Sequence, residues 1–170
     1  MAADLTLRHV TVGSPLGPFS VVASPAGVVA TTSEDVEELI ERLVRSLGVV
    51  PRTTPDAMLR TAARELERHF GGRLRVFRTP VDLRLARTTL ARSILEVTRG
   101  IPYGELWTYG DVAAAAGRPG AARAAGSTLA HCPIEVFVPC HRVVPAGPGL
   151  GSYGGAEDRR ATLLRLEHAI

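Results

Sequence analysis

The sequence predicts a mixed α+β fold in two units, a small N-terminal α/β domain at residues 1–86 and a mainly helical C-terminal domain at residues 87–170. Short β-branched runs separated by Gly and Pro fill the first part, a pattern typical of a small antiparallel sheet. Apolar residues at helical spacing dominate the second part. A chain of 170 residues is long enough to bury two such cores.

The N-terminal domain is predicted to begin with three strands and to continue with two helices. The strands are expected at residues 5–12, 19–23 and 27–31. Apolar residues then recur at helical spacing from Val36 to Leu47, where Ser33 can cap the start and Gly48 can end the helix. Thr54-Pro55 opens the second helix, which stops at Gly71-Gly72. His9 and His69 lack partners at metal-ligand spacing, so no metal site is expected.

The C-terminal domain is predicted to contain a helix-turn-helix. A first helix carries Leu90, Ile94 and Val97 on one face. Thr108 and Asp111 form an approximate capping box that starts a short helix through Ala116. After a turn, residues 120–131 form the next helix, and the spacing of the pair fits a DNA-binding motif.

Chemistry is expected at Pro139-Cys140-His141-Arg142-Val143, which places a thiol beside an imidazole. The preceding residues 134–138 are apolar except for Glu135 and are predicted to form a short buried strand that delivers Cys140 to a pocket. A thiol needs a base to become a nucleophile, and His141 is the nearest one. Side chains of adjacent strand residues diverge, so the chain must turn at Cys140 or a water must bridge the two groups. A buried Cys that serves only as a small apolar residue is the alternative.

These residues belong to a wider pattern that resembles the O6-alkylguanine-DNA alkyltransferases. Order and spacing agree over about residues 100–168, whereas the N-terminal half agrees only through Ser14-Pro15-Leu16-Gly17 and Val81-Asp82-Leu83. The matching segments are Ile101-Pro102-Tyr103-Gly104-Glu105, Thr108-Tyr109, Ala121-Ala122-Arg123-Ala124-Ala125-Gly126, the Pro-Cys-His-Arg-Val run, Gly151-Ser152-Tyr153-Gly154-Gly155 and Leu163-Leu164-Arg165-Leu166-Glu167. For the fold, the resemblance implies a ribonuclease H-like N-terminal domain and a winged-helix-like C-terminal domain.

The resemblance implies direct and irreversible DNA repair by methylated-DNA–protein-cysteine methyltransfer. Cys140 would take the alkyl group from the guanine oxygen as a thioether in a single turnover, with His141 as its base through a water molecule. Glu167 would accept the other ring hydrogen of His141, and Tyr109 would assist guanine departure. Taken alone, Tyr109 could equally be a packing residue and Glu167 a surface residue of the last helix.

The resemblance also implies DNA contact and a substrate pocket. Arg123 would fill the gap left by an extruded nucleotide, and Tyr109 would crowd the DNA backbone; an ordinary solvated charge is the alternative for Arg123. The small residues Ala121, Ala122 and Gly126 would let the helix approach the minor groove, unless this Ala-rich helix is simply packed in a core. The substrate pocket would be formed by Arg142, Val143, Tyr153 and Gly154.

Cys132 is a departure from the family, which usually has Asn before the Pro at this position. That Asn braces the link between the recognition helix and the active-site segment, and a thiol cannot make the same amide hydrogen bonds. We expect a looser hinge in this chain, with a slower or less stable acceptor site.

Composition fits a DNA-binding protein without requiring one. All 20 basic residues are arginine, the net charge is +3, and the pI is about 9.4; a biased genome would produce the same arginine content. Two cysteines give no disulfide framework, and Met1 to Val10 lack the apolar core of a signal sequence. We expect a cytoplasmic monomer that binds double-stranded DNA containing O6-alkylguanine, with no cofactor, metal or membrane partner.

Two further classes of function remain open from the sequence. A non-catalytic protein that binds alkylated bases and marks them for other repair would use the same DNA-binding elements, although such proteins typically lack the acceptor Cys. A regulatory DNA-binding module or an unrelated thiol enzyme is the other class. Stoichiometric loss of one thiol with lesion DNA distinguishes the repair reaction from both.

Overall fold

The computed structural model describes residues 5–153 and 157–170, without the side chain of Glu157. The chain divides into two compact units, Met1–Asp82 and Leu83–Ile170. Their secondary structure is mixed α+β, with a small antiparallel sheet in the first unit and most of the remaining helices in the second.

The first unit is built on a three-stranded antiparallel sheet in the order β1-β2-β3. The strands are β1 (Arg8–Ser14), β2 (Gly17–Ser24) and β3 (Gly27–Thr32). Burial differs along the sheet, since every residue of β3 is buried whereas Val12 is the one buried residue of β1. The two outer strands are therefore covered to different extents, and β3 is the more deeply buried of the two.

Two helices follow the sheet, and an aspartate caps each of them. Helix α1 (Val36–Leu47) starts at Asp35, whose carboxylate accepts from Glu37 N, and ends at Gly48 with a left-handed φ of 71°. Helix α2 (Ala57–Phe70) starts at Asp56, which accepts from Leu59 N.

These caps correct two sequence-based expectations. Ser33 lies two residues before the α1 cap, and Thr54-Pro55 precedes the cap of α2. In both cases a nearby Asp takes the capping role, because its side chain can reach the free N–H groups of the first turn.

The second unit consists mainly of short helices. They are α3 (Thr89–Arg99), α4 (Tyr109–Ala115), α5 (Ala122–Ala130) and α6 (Glu157–Leu166). Two short strands, β4 (Trp107–Thr108) and β5 (Val143–Val144), pair in parallel. The predicted capping box is confirmed, since Thr108 and Asp111 bond to each other's backbone at the start of α4.

The prediction of a strand at residues 134–138 was wrong. Glu135 and Val138 instead form an isolated bridge across a tight turn, and Val136 has a φ of 73°. A β-branched residue is rarely found in this left-handed region, so the surrounding packing must hold it there. A run of apolar residues does not distinguish a buried turn from a buried strand, which is why periodicity failed here.

No helix in the described part of the chain is long and apolar enough to cross a bilayer.

Candidate active site

Cys140 is the first residue of a short 3₁₀ turn that ends at Arg142. Its backbone N–H donates to Val138 O at 2.8 Å, which ties the turn to the segment before it. The side chain is only 1% exposed. The turn therefore supplies the change of direction that the sequence required at Cys140.

Tyr153 provides a polar contact of the thiol, with Oη 3.5 Å from Cys140 Sγ. Its backbone φ of 42° lies in the left-handed region, so the ring is held in this position at a conformational cost. Burial, followed by the nearby Cys140 thiol, raises the pKa of Tyr153 well above its usual value. The phenol consequently stays protonated and can donate a hydrogen bond to a thiolate.

His141 is fully buried and is fixed by Glu167, whose Oε1 lies 2.8 Å from Nε2. An ionised carboxylate only accepts, so Nε2 carries the hydrogen and Nδ1 has a free lone pair. Nδ1 is buried and has no hydrogen-bond partner among the described residues. Burial lowers the pKa of His141. The hydrogen bond to Glu167 and the charge of Glu167 raise this pKa, whereas the cations Arg142 and Arg160 lower it further. The imidazole is therefore neutral at pH 7 and can accept a proton.

Glu167 is 2% exposed and is held by Arg142 as well as by His141. Arg142 donates from Nε to Oε2 at 2.8 Å and from NH2 to Oε1 at 2.7 Å. Burial by itself raises the pKa of Glu167, but the hydrogen bonds from His141 and Arg142 outweigh it and lower the pKa to about 2. Glu167 is thus a fixed anion behind the imidazole.

Two expected pocket residues are buried in the framework of the site. The third guanidinium nitrogen of Arg142, NH1, donates to Ile101 O at 2.6 Å, so all three nitrogens hold buried groups of the framework. Val143 is fully buried in β5, where it pairs with Trp107. Gly154, the other expected pocket residue beside Tyr153, lies outside the described residues.

Tyr109, the first residue of α4, is half-buried. It is hydrogen-bonded to Arg160, a residue that the sequence did not single out. Arg160 donates from NH2 to Tyr109 Oη at 3.2 Å, and its guanidinium carbon lies 4.7 Å from the centroid of the Tyr153 ring. Arg160 is seven residues before Glu167, which is about two helical turns, so the helical spacing places both on one face. That spacing was the available signal.

Apart from Tyr109 on α4, the predicted DNA-binding residues lie at or on α5. Arg123 is exposed in the first turn of this helix, and Ala121 and Ala122 precede it as half-buried residues. Gly126 lies next to the Tyr109 ring, since a Cβ on Gly126 would be 3.9 Å from Tyr109 Cδ1. Tyr109 therefore connects α5 to the buried site.

Cys132 is half-buried and interacts with the Cys140 thiol. The nearby Cys140 thiol, followed by burial, raises the pKa of the Cys132 thiol well above its usual value. Cys132 is therefore a neutral neighbour of the nucleophile. In the described ranges, no three His, Cys, Asp or Glu side chains are grouped so that they could hold a metal ion.

The sequence profile described as the DNA binding domain of 6-O-methylguanine DNA methyltransferase matches residues 89–169. A methylated-DNA–protein-cysteine methyltransferase of Mycobacterium tuberculosis (strain ATCC 25618 / H37Rv) is 37% identical over 164 residues, covering 95% of this chain and 92% of the relative.

Two solved structures from Mycobacterium tuberculosis are similar along the chain. The O6-methylguanine methyltransferase aligns with a TM-score of 0.79 at 31% identity. The structure of OGT in complex with DNA aligns with a TM-score of 0.77 at 33% identity. In each case 95% of this chain and 93% of the other are covered. Together with the array of Cys140, His141 and Glu167, these matches show that the chain belongs to the methylated-DNA–protein-cysteine methyltransferase family.

Proposed function

We propose that this protein repairs DNA directly by moving the alkyl group of O6-alkylguanine onto Cys140. The bond between sulfur and the alkyl carbon forms as the bond between that carbon and the guanine oxygen breaks. The bonding electron pair stays on guanine, which takes up the proton given up by the thiol. A thioether does not revert to the thiol, so each molecule acts once. O4-alkylthymine carries its alkyl group on the same kind of exocyclic oxygen and is the other candidate substrate.

The observation that carries this proposal is the buried pair of His141 and Glu167, whose imidazole belongs to the same 3₁₀ turn as Cys140. Glu167 fixes Nε2 as the protonated nitrogen, which leaves the buried Nδ1 as an acceptor. A water molecule between Nδ1 and Sγ would relay the thiol proton to the imidazole. The developing imidazolium would then be stabilised by the adjacent carboxylate, as in other nucleophile–base–acid arrays.

Departure of guanine requires a donor, because the leaving base otherwise carries a full negative charge. Tyr109 takes this role in our proposal, since its phenol lies at the edge of the site next to α5. Tyr153 contributes from the other side by donating to the sulfur at 3.5 Å. The substrate pocket is accordingly assigned to Tyr153, with Gly154 as the following residue of the same segment.

The DNA partner is double-stranded, and the target base must leave the helix before Cys140 can reach it. Helices α4 and α5 would act as a helix-turn-helix, with Arg123 filling the gap in the base stack. Ala121, Ala122 and Gly126 would allow close contact with the minor groove. Nothing in this arrangement requires a second copy of the chain, so the free protein is proposed to be a monomer.

We assign different roles to the two domains proposed at residues 1–86 and 87–170. The first, with its antiparallel sheet and two helices, is proposed to be a ribonuclease H-like structural domain. The second would be a winged-helix-like domain that carries both the DNA-binding helices and the alkyl acceptor.

Incubation with an oligonucleotide containing one O6-methylguanine is expected to add one methyl group to the peptide that contains Cys140, because only this thiol is backed by His141. Intact-protein mass spectrometry and peptide mapping would measure it. The Cys140→Ala variant should bind the same DNA with unchanged affinity and gain no mass. Unchanged mass of the wild-type protein despite binding would instead support a non-catalytic lesion-binding protein.

The Arg123→Ala variant should transfer the alkyl group from duplex DNA at least about tenfold more slowly. Extruding a base costs a few kcal/mol, and each 1.36 kcal/mol lost from the stabilisation of the transition state is a factor of ten in rate. Reaction with free O6-alkylguanine base should be unchanged, because no gap has to be filled. Arg165→Ala, an exposed arginine on α6, is the matched control. Equal losses on both substrates would remove the intercalating role.

The Glu167→Gln variant should be less stable by about 3–5 kcal/mol, the usual cost of breaking a buried ion pair by removing one partner. The pKa of Glu167 is lowered from 4.5 to about 2. The stability that it contributes is therefore complete above pH 4.5 and is lost as the pH falls toward 2.

Urea denaturation at a series of pH values would measure this difference. The wild-type protein should lose stability more steeply than Glu167→Gln between pH 4.5 and 2. Glu96→Gln, an exposed carboxylate on α3, should keep the wild-type slope. Identical slopes for wild type and Glu167→Gln would contradict the ion pair as a source of stability.

The Cys132→Asn variant should raise both the repair rate and the melting temperature. An amide at residue 132 can donate a stronger hydrogen bond to the Cys140 sulfur than a thiol can, and its second polar atom can brace the hinge. Single-turnover kinetics and thermal denaturation would test this, and no change in either would reject the hypothesis of a loose hinge.

A further inference from the structure

Arg160 is the largest side chain among those that are almost completely buried, with an exposure of 1%. Removing a guanidinium from water is costly unless its surroundings compensate for the lost hydration. No carboxylate in the described part of the chain forms an ion pair with it, in contrast to Arg142. The interactions that the structure shows for Arg160 are of another kind.

Those interactions are with the two tyrosines of the site. The NH2 group donates to Tyr109 Oη at 3.2 Å, and the guanidinium carbon lies over the Tyr153 ring at 4.7 Å from its centroid. Tyr153 in turn contacts the Cys140 sulfur. One cation thus connects the phenol beside α5 with the phenol beside the nucleophile, and a cation over an aromatic face is attractive when desolvated.

The local backbone is shaped to admit this guanidinium. Gly151 has a φ of 73°, and a Cβ on it would lie 3.2 Å from Arg160 NH1 and 2.8 Å from Pro145 Cδ. Nε and NH1 of Arg160 are buried and have no hydrogen-bond partner within residues 5–153 and 157–170. Among the described groups, only the two tyrosines orient the cation.

We propose that Arg160 is a positioning residue for the alkyl transfer, acting through the hydroxyl of Tyr109. This inference rests on the proposed repair reaction. Arginine can only donate, so Tyr109 Oη accepts from it and the phenol hydrogen remains free for the departing guanine. A cationic donor on the oxygen also withdraws electron density from the phenol, which strengthens its O–H as a donor. Arg160 thereby sets both the direction and the strength of the hydrogen bond that stabilises the leaving base.

A double-mutant cycle of Arg160→Met with Tyr109→Phe tests this mechanism. The measurement is the single-turnover rate of methyl transfer at saturating duplex DNA. Arg160→Met should slow the wild-type reaction about 10–100-fold, part of the 10²–10⁴ that a general acid contributes. In the Tyr109→Phe background the same change should cost less than about threefold, because the hydroxyl through which Arg160 acts is absent.

Arg160→Lys provides a second test, which remains informative even if Arg160→Met is slow because it disturbs the packing. Lysine keeps the positive charge and can donate to Tyr109 from its ammonium group, so it should recover most of the rate lost in Arg160→Met if that donation is what matters. A purely structural role would change the melting temperature without this recovery. Equal losses in the two tyrosine backgrounds, or a Lys variant as slow as the Met variant, would overturn the inference.

Failure of the inference can be separated from failure of the proposed function. Arg165→Met, an exposed change on the same helix, should transfer methyl at the wild-type rate. If neither the wild type nor this control gains a methyl group, the repair reaction itself is rejected. If both react and the cycle is additive, only the role of Arg160 is rejected.

Discussion

The site depends on a single buried carboxylate. Glu167 accepts one hydrogen bond from His141 and two from Arg142, and each partner is itself buried. Any one of these groups would be expensive to bury alone, since an unpaired charge in the interior is strongly destabilising. The three groups are stable in the interior only together, and the contact with Glu167 fixes the tautomer of the His141 imidazole, which follows Cys140 in the same 3₁₀ turn.

The segment Ile101-Pro102-Tyr103-Gly104 forms the other wall of this carboxylate site. Ile101 O accepts from Arg142 NH1 at 2.6 Å, and Gly104 N donates to Glu167 Oε2 at 3.4 Å. A Cβ on Gly104 would lie 3.3 Å from Glu167 O, and the residue has a φ of 81°, so glycine suits this close approach. The segment therefore contributes backbone groups to the site, although none of its side chains is proposed to react.

The reaction that we propose requires no turnover, which changes what the structure must provide. The nucleophile does not have to be regenerated. The proposed transfer step therefore needs one neutral base, His141, and two correctly placed phenols, Tyr109 and Tyr153. Tyr109 lies between the helix proposed to enter DNA and Arg160, and Gly126 leaves room for its ring. Tyr109 would in this way take part both in base extrusion and in stabilising the leaving group.

Much of the fold could be predicted from local sequence. The three strands, the left-handed end of α1 at Gly48 and the capping box of Thr108 and Asp111 depend on interactions within a few residues, which propensity and spacing describe well. The family resemblance named Cys140, His141 and Glu167, and the structure brings His141 and Glu167 to 2.8 Å. The choice of Asp35 over Ser33 as a cap is also local, but two capping residues two positions apart compete and the sequence does not rank them.

Only the tertiary structure decided the turn at Val136, the bracing of Glu167 by Arg142 and the position of Arg160. Residues 134–138 are apolar except for Glu135, and their apolar character does not distinguish a buried turn closed by the Glu135–Val138 bridge from a buried strand. Arg160 lies 51 residues from the hydroxyl to which it donates. The sequence determined which groups are available for chemistry, because it specifies the residue types and their local spacing. Long-range packing decided which of them meet, because burial of a charged or strained group is stable only where the whole surrounding set satisfies it.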